Sequence, residues 1–168
     1  MKQLFWIMLL SLFPFLGSAA DKLAVGSSLP AITCNNQDGQ PVALAKVGEK
    51  GFLLVYFYPK ANTPGCTKQG CSLRDGWTDL QKAGVKVLGV STDGETSQKK
   101  FKDEQKFPFP LLADKDKTVT EAFGVKNLIG MASRSAFLFN DGICIWVDPK
   151  GSTSDQADQV LAFLKSRR

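Results

Sequence analysis

The run Phe52-Leu53-Leu54-Val55-Tyr56-Phe57-Tyr58 is apolar without interruption between Gly51 and Pro59, which predicts a buried strand over 52–58. Beyond it the pattern changes period. Residues 64–83 read as a helix, 85–91 as a strand and 95–106 as a second helix; Leu111-Leu112 then forms a short strand ahead of Asp114, and a short helix follows over 118–123. The last part of the chain places strands at 136–140 and 143–147 around an Asp141-Gly142 turn and closes on a helix over 154–165. Upstream, 31–34 and 41–44 flank Asp38-Gly39 as a short hairpin. No internal repeat, linker or low-complexity run interrupts this series.

Alternating β and α units followed by a hairpin and a helix are the order of an α/β, thioredoxin-like sandwich: a mixed β-sheet flanked by helices on both faces, here with an N-terminal β-hairpin. In such a fold the segment from Pro59 to Cys66 is a strand-to-helix loop, a usual place for chemistry. Thr63 fits the N-cap, Pro64 the first helical position, where a missing N–H costs nothing, and Cys66 falls inside the first turn. Unpaired backbone N–H groups and the positive end of the helix dipole favour thiolate over thiol there.

Helical phase separates Cys66 from Cys71. At about 100° per residue, Cys66 shares a face with Gly70, Leu73, Trp77 and Leu80, whereas Cys71 falls with Arg74, Asp75, Thr78 and Lys82 on the polar side. A helix holds the two Cα atoms roughly 8.7 Å apart, beyond the about 7 Å that a disulfide spans, so bonding requires the first turns to unwind. Gly70 weakens the helix between them by up to about 1 kcal/mol relative to alanine, which eases that unwinding.

The amino terminus changes the setting. Lys2 precedes an apolar stretch over 4–16, and Ser18-Ala19-Ala20 supplies small residues ahead of Asp21. This predicts a signal peptide over 1–20, cleaved before Asp21, and an exported, periplasmic domain over 21–168 without stable membrane contact. An uncleaved signal anchor is the alternative, although the stretch is short for a membrane span. Of the 21 basic residues only Lys2 lies in that segment, leaving 20 against 16 acidic ones, and no basic cluster exceeds Lys99-Lys100 or Arg167-Arg168. This is a solvated surface and not a nucleic-acid footprint.

Export also bears on the four cysteines, Cys34, Cys66, Cys71 and Cys144. Outside the cytosol thiols tend to pair, and three connectivities are open by arithmetic. The chain has no C-x-x-C and no histidine, which disfavours zinc and removes Cys-His and Ser-His hydrolase mechanisms. Activation of Cys66 must come from dipole, hydroxyl and cation.

Pro59, Thr63 and Cys66 match the peroxiredoxin signature P-x-x-x-[TS]-x-x-C. The longer string F-Y-P-K-A-N-T-P-G-C-T-K-Q-G-C-S-L-R-D resembles the Q-type, or bacterioferritin comigratory protein, group of that family, whose resolving cysteine lies five residues on in the same helix. The likeness extends to F-P-F-P-L-L-A-D at 107–114, A-F-G-V at 122–125 and S-R-S-A-F-L-F at 133–139, so it covers nearly the whole mature chain.

The resemblance implies a thiol peroxidase acting on hydrogen peroxide or organic hydroperoxides without metal or organic cofactor. Cys66 would attack peroxide and become a sulfenic acid, and Cys71 would resolve it as a disulfide. Pro59 would shield the sulfur, the Thr63 hydroxyl would hydrogen-bond thiolate and peroxide, and Arg134 would supply a permanent cation. Backbone N–H groups of Gly65 and Cys66 would complete the anion pocket. A thioredoxin-like dithiol protein would return the enzyme to its reduced form, and a helix-borne resolving cysteine makes a dimer unnecessary, so a monomer is expected. Asn62 and Gly70 depart from the small or apolar residues common in the family. Cys34 and Cys144 have no family role; two separate buried thiols are the default and a bridge the alternative.

Two other functions compete. A thiol-disulfide oxidoreductase is disfavoured by the missing C-x-x-C, which allows a bridge without unwinding. A noncatalytic redox-sensing thioredoxin-like module would form the same disulfide without turnover.

Overall fold

The apolar run after Gly51 becomes the central strand of a five-stranded sheet. The computed structural model describes residues 22–167, so the processing pattern at 1–20 lies outside the described residues. In chain order the elements are β1 (Thr33–Asn35), β2 (Pro41–Ala43), α1 (Leu44–Val47), β3 (Phe52–Phe57), α2 (Pro64–Asp75), α3 (Trp77–Lys82), β4 (Val85–Ser91), α4 (Glu95–Gln105) and β5 (Leu111–Ala113). They continue with α5 (Thr118–Ala122), β6 (Asn127–Leu128), β7 (Met131–Ala132), β8 (Ser135–Asn140), β9 (Ile143–Asp148) and α6 (Gln156–Lys165). The sheet order is β5-β4-β3-β8-β9. Strands β3, β4 and β5 run parallel, whereas β8 and β9 are antiparallel.

Because β3 is paired on both edges and covered on both faces, it tolerates no polar position. Leu54, Tyr56 and Tyr58 face a core completed by Leu73 of α2, Leu80 of α3, Phe101 of α4 and Val160 and Leu164 of α6. Leu53, Val55 and Phe57 face the opposite core with Leu44, Val119, Phe123, Phe137 and Phe139. The mixed sheet with helices on both faces is thus the architecture the alternation predicts, and the N-terminal hairpin forms between β1 and β2.

Three local features differ from the sequence reading. The helix expected over 64–83 is two helices that meet at Gly76. A side chain at Gly76 would bring its Cβ to 2.6 Å from the Ala157 Cβ, so the glycine lets α6 pack against the junction. The one-turn helix α1 and the small β6–β7 hairpin carry too few residues for a periodic signal. Finally, Gly70 is a packing residue: the Phe107 ring lies against it, and a Cβ there would stand 2.8 Å from Phe107 Cε1.

All four cysteines are free thiols. Cys34 lies beside β5, where Asn36 bridges Leu112, while Cys144 is on β9 at the far edge of the sheet. Four strand spacings, roughly 19 Å, separate those edges. The alternative of a Cys34 to Cys144 bridge is therefore excluded by topology.

Candidate active site

The loop leaving β3 is shaped by backbone geometry and one carboxylate. Asn62 adopts φ +58°, the left-handed region in which asparagine is among the better tolerated side chains. The backbone N–H of Ala61 donates to Asp93 Oδ2 at 2.8 Å, and the Ser91 hydroxyl donates to the same oxygen at 2.8 Å. Gln98, fully buried on α4, donates to Ser91 Oγ at 2.9 Å and to the Leu112 carbonyl at 2.7 Å, and it accepts the Tyr58 hydroxyl. Sequence spacing gave no signal for this network, because its members come from three elements. It ties the end of β3, β4 and α4 to the loop that presents Cys66.

Thr63 takes the N-cap position with extended backbone, and Pro64 opens α2 as expected. The threonine side chain makes no capping bond; its hydroxyl donates to the Lys60 carbonyl at 3.0 Å. Its proton is thereby committed, and the oxygen lone pairs remain available as acceptors. Pro59 stands half-buried just past the end of β3.

Cys66 is 1% exposed. Arg134, one residue ahead of β8, donates from Nη2 to Cys66 Sγ at 3.4 Å and from Nη1 to Gln69 Oε1 at 2.6 Å. Two glycines make room for this guanidinium. A Cβ at Gly65 would stand 3.1 Å from Arg134 Nη2, and Gly151, at φ +58°, would direct one to 3.1 Å from Arg134 Cδ. Gly65 thus lets a cation approach the helix start, where backbone N–H groups already favour negative charge. Burial pushes the Tyr56 and Tyr58 phenols well above their ordinary range, so the wall beside the sulfur stays neutral.

Cys71 keeps the side of α2 that it shares with Arg74, but that side is not open to solvent. It is half-buried against the core formed by β3, α2 and α4, and its thiol donates to Gln105 Oε1 at 3.8 Å. The side of α2 that helical phase assigns to solvent is covered by the end of α4, where Arg74 Nη1 also donates to the Gln105 carbonyl at 2.8 Å. Both cysteines lie within the regular span of α2, so their sulfurs are held on different faces. The structure brings Cys66, Thr63, Gly65 and Arg134 to one helix start and leaves Cys71 more than a turn away. Gln69 and Gln156, both fully buried behind Arg134, were absent from the sequence reading; an uncharged pair 87 positions apart carries no local signal.

The comparisons with known proteins fall on this same domain. Residues 25–146 match the AhpC/TSA family model. Peroxiredoxin Bcp of Escherichia coli K12 is 42% identical over 152 residues, which covers 85% of this chain and 96% of that protein. Chloroplastic peroxiredoxin Q of Suaeda salsa is 37% identical over 153 residues, covering 89% of this chain and 71% of that protein. Among solved structures, peroxidoxin BcpB of Mycobacterium tuberculosis superposes with a TM-score of 0.79 at 33% identity, covering 86% of this chain and 97% of that one. The Xanthomonas campestris bacterioferritin comigratory protein, whose structures concern its alkyl peroxide reduction activity, gives a TM-score of 0.77 at 34% identity, covering 86% of this chain and 99% of that one. With a buried cysteine at a helix start, an arginine on its sulfur and a thioredoxin-like sheet beneath it, the chain belongs to the AhpC/TSA family and, within it, to the Bcp/Q group of peroxiredoxins, which are cysteine-based thiol peroxidases.

Proposed function

We propose that Cys66 is the peroxide-attacking residue and that the enzyme reduces hydrogen peroxide or organic hydroperoxides through a Cys66 sulfenic acid and a Cys66–Cys71 disulfide. The observation that carries this reading is the Arg134 guanidinium 3.4 Å from a buried sulfur in the first turn of α2. The thiolate attacks one peroxide oxygen, the O–O bond breaks, and the departing alkoxide or hydroxide takes up a proton as alcohol or water. Sulfur is oxidised by two electrons and the peroxide reduced by two. Arg134 stabilises the thiolate and the charge on the leaving oxygen. The Thr63 oxygen, whose own O–H donates to the Lys60 carbonyl, accepts a hydrogen bond from the peroxide O–H. Gly65 and Cys66 N–H groups hold the developing anion, and Pro59 limits water.

The Cys71 thiol then attacks the sulfenic sulfur, expelling water and leaving a disulfide, for which the first turns of α2 open. An external thioredoxin-like dithiol reduces that bond. We infer further that residues 1–20 act as an export signal, which the Lys2, 4–16 and Ser18-Ala19-Ala20 pattern supports. The domain over 21–168 then works in the periplasm as a monomer, with a thioredoxin-like partner of that compartment. A disulfide oxidoreductase is not favoured, because the two cysteines lack the C-x-x-C spacing.

Mixing the reduced protein with peroxide and a thioredoxin-type reductant tests this. Cys66→Ser abolishes peroxide consumption, whereas Cys71→Ser retains the first oxidation and loses turnover. Activity retained by Cys66→Ser, or no initial oxidation in Cys71→Ser, overturns the assignment.

A further inference from the structure

Behind the cation lies a relay of two buried glutamines. Gln69 and Gln156 are each 0% exposed. Gln69 Oε1 accepts from Arg134 Nη1 at 2.6 Å, and Gln69 Nε2 donates to Gln156 Oε1 at 3.0 Å. Gln156 is the first residue of α6, and its own Nε2 has no hydrogen-bond partner among the described residues. Buried amides are nearly always paired, so an orphaned donor marks a side chain held for what its other end does. That other end fixes the orientation of the Gln69 amide. With the NH2 group engaged by Gln156, the carbonyl oxygen must face Arg134, and a guanidinium anchored at Nη1 presents Nη2 to Cys66.

The same residues fasten α2 to α6. The backbone N–H of Ala157 donates to Ser72 Oγ at 3.2 Å, beside the close Gly76–Ala157 approach. Gln69 lies between Cys66 and Cys71, inside the segment that must unwind for them to bond, and Ser72 directly follows it. One set of contacts therefore aims the cation and resists the opening.

We infer that Gln156 is a positioning residue with opposite effects on the two halves of the cycle: through Gln69 and Arg134 it promotes attack of Cys66 on peroxide, and by holding Gln69 it latches α2 against formation of the Cys66–Cys71 disulfide. This rests on the peroxidase reading above. The C-terminal helix thereby sets how long the sulfenic acid persists before it is resolved.

Stopped-flow tryptophan fluorescence on the reduced protein, with sulfenic acid trapped for mass spectrometry, resolves the two steps. Gln156→Met, similar in length but without the amide acceptor, slows the peroxide step by up to about 100-fold, the scale of a positioning group misplaced by about 1 Å. It speeds disulfide formation by about threefold or more, a modest coupling between contacting residues. Gln156→Glu keeps an acceptor and returns both rates toward those of the parent. Ser72→Ala, which releases only the α6 tie, speeds disulfide formation and leaves the peroxide step unchanged.

A folded Gln156→Met with both rates unchanged, or with both slowed in parallel, overturns the inference. If that variant fails to fold, an unchanged disulfide rate in Ser72→Ala overturns the latch. Absence of a rapid peroxide step in the parent protein instead removes the peroxidase reading itself.

Discussion

Replacing Arg134 by methionine removes the cation from Cys66 while keeping an unbranched apolar stem against Gly151. At 3.4 Å, unit charges at an effective dielectric constant near 20 attract by about 5 kcal/mol. Part of this is recovered when water enters the vacated site, since Arg134 is only half-buried. Loss of one preorganised donor aimed at developing charge ordinarily costs about 2.7–4 kcal/mol, or 10²–10³ in rate. The second-order rate constant of the reduced protein with hydrogen peroxide should fall by that factor in Arg134→Met. Arg134→Lys should fall by about tenfold, because a single ammonium cannot hold Gln69 and Cys66 together as a fork does. Stopped-flow fluorescence gives the rate, and circular dichroism checks that the fold persists. A folded Arg134→Met reacting within about threefold of the parent would refute the electrostatic argument.

Disulfide formation should remove amide exchange protection from the start of α2, about 66–74, and leave the sheet protected, because local opening is modest beside global unfolding; equal protection in both forms, with the bond confirmed by mass spectrometry, contradicts the helical-distance argument. Gly70→Ala should destabilise the whole domain by about 1–3 kcal/mol through overpacking against Phe107, which chemical denaturation measures, so it does not act on disulfide formation alone. Cys34 should alkylate about 10³-fold more slowly at pH 8 than a free thiol of pKa 9.0, because burial first, and then the charges of Asp114, Asp116 and Glu95, push it up to about 12. A thiol raised on folding contributes stability that is present below its unfolded value and lost as pH rises toward the folded one, so this contribution fades from about pH 9 upward; Cys34→Ala should flatten that alkaline decline.

The elements legible in the sequence are those whose cause is local. The strand from Val85 to Ser91 coincides with its expected span, and β3 was marked by the unbroken apolar run that two-sided burial demands. Thr63, Pro64 and Cys66 fixed the start of α2 because capping geometry depends on adjacent residues. The cluster at the start of α2 that we propose meets peroxide could be read from sequence for the same reason: Pro59, Thr63, Gly65 and Cys66 are neighbours in the chain.

Tertiary structure decided what depends on residues far apart. The division of the long helix at Gly76 follows from the approach of Ala157, and Gly70 is required by the Phe107 ring; neither neighbour is foreseeable from the helix's own periodicity. The side of α2 that carries Cys71 is covered because α4 ends over it at Gln105. The Arg134–Gln69–Gln156 relay joins side chains 65 and 87 positions apart. Chain sequence specifies φ/ψ preference and apolar period over a few residues. Which polar atoms meet inside the protein is settled only when the sheet brings its helices together and each buried donor must find an acceptor.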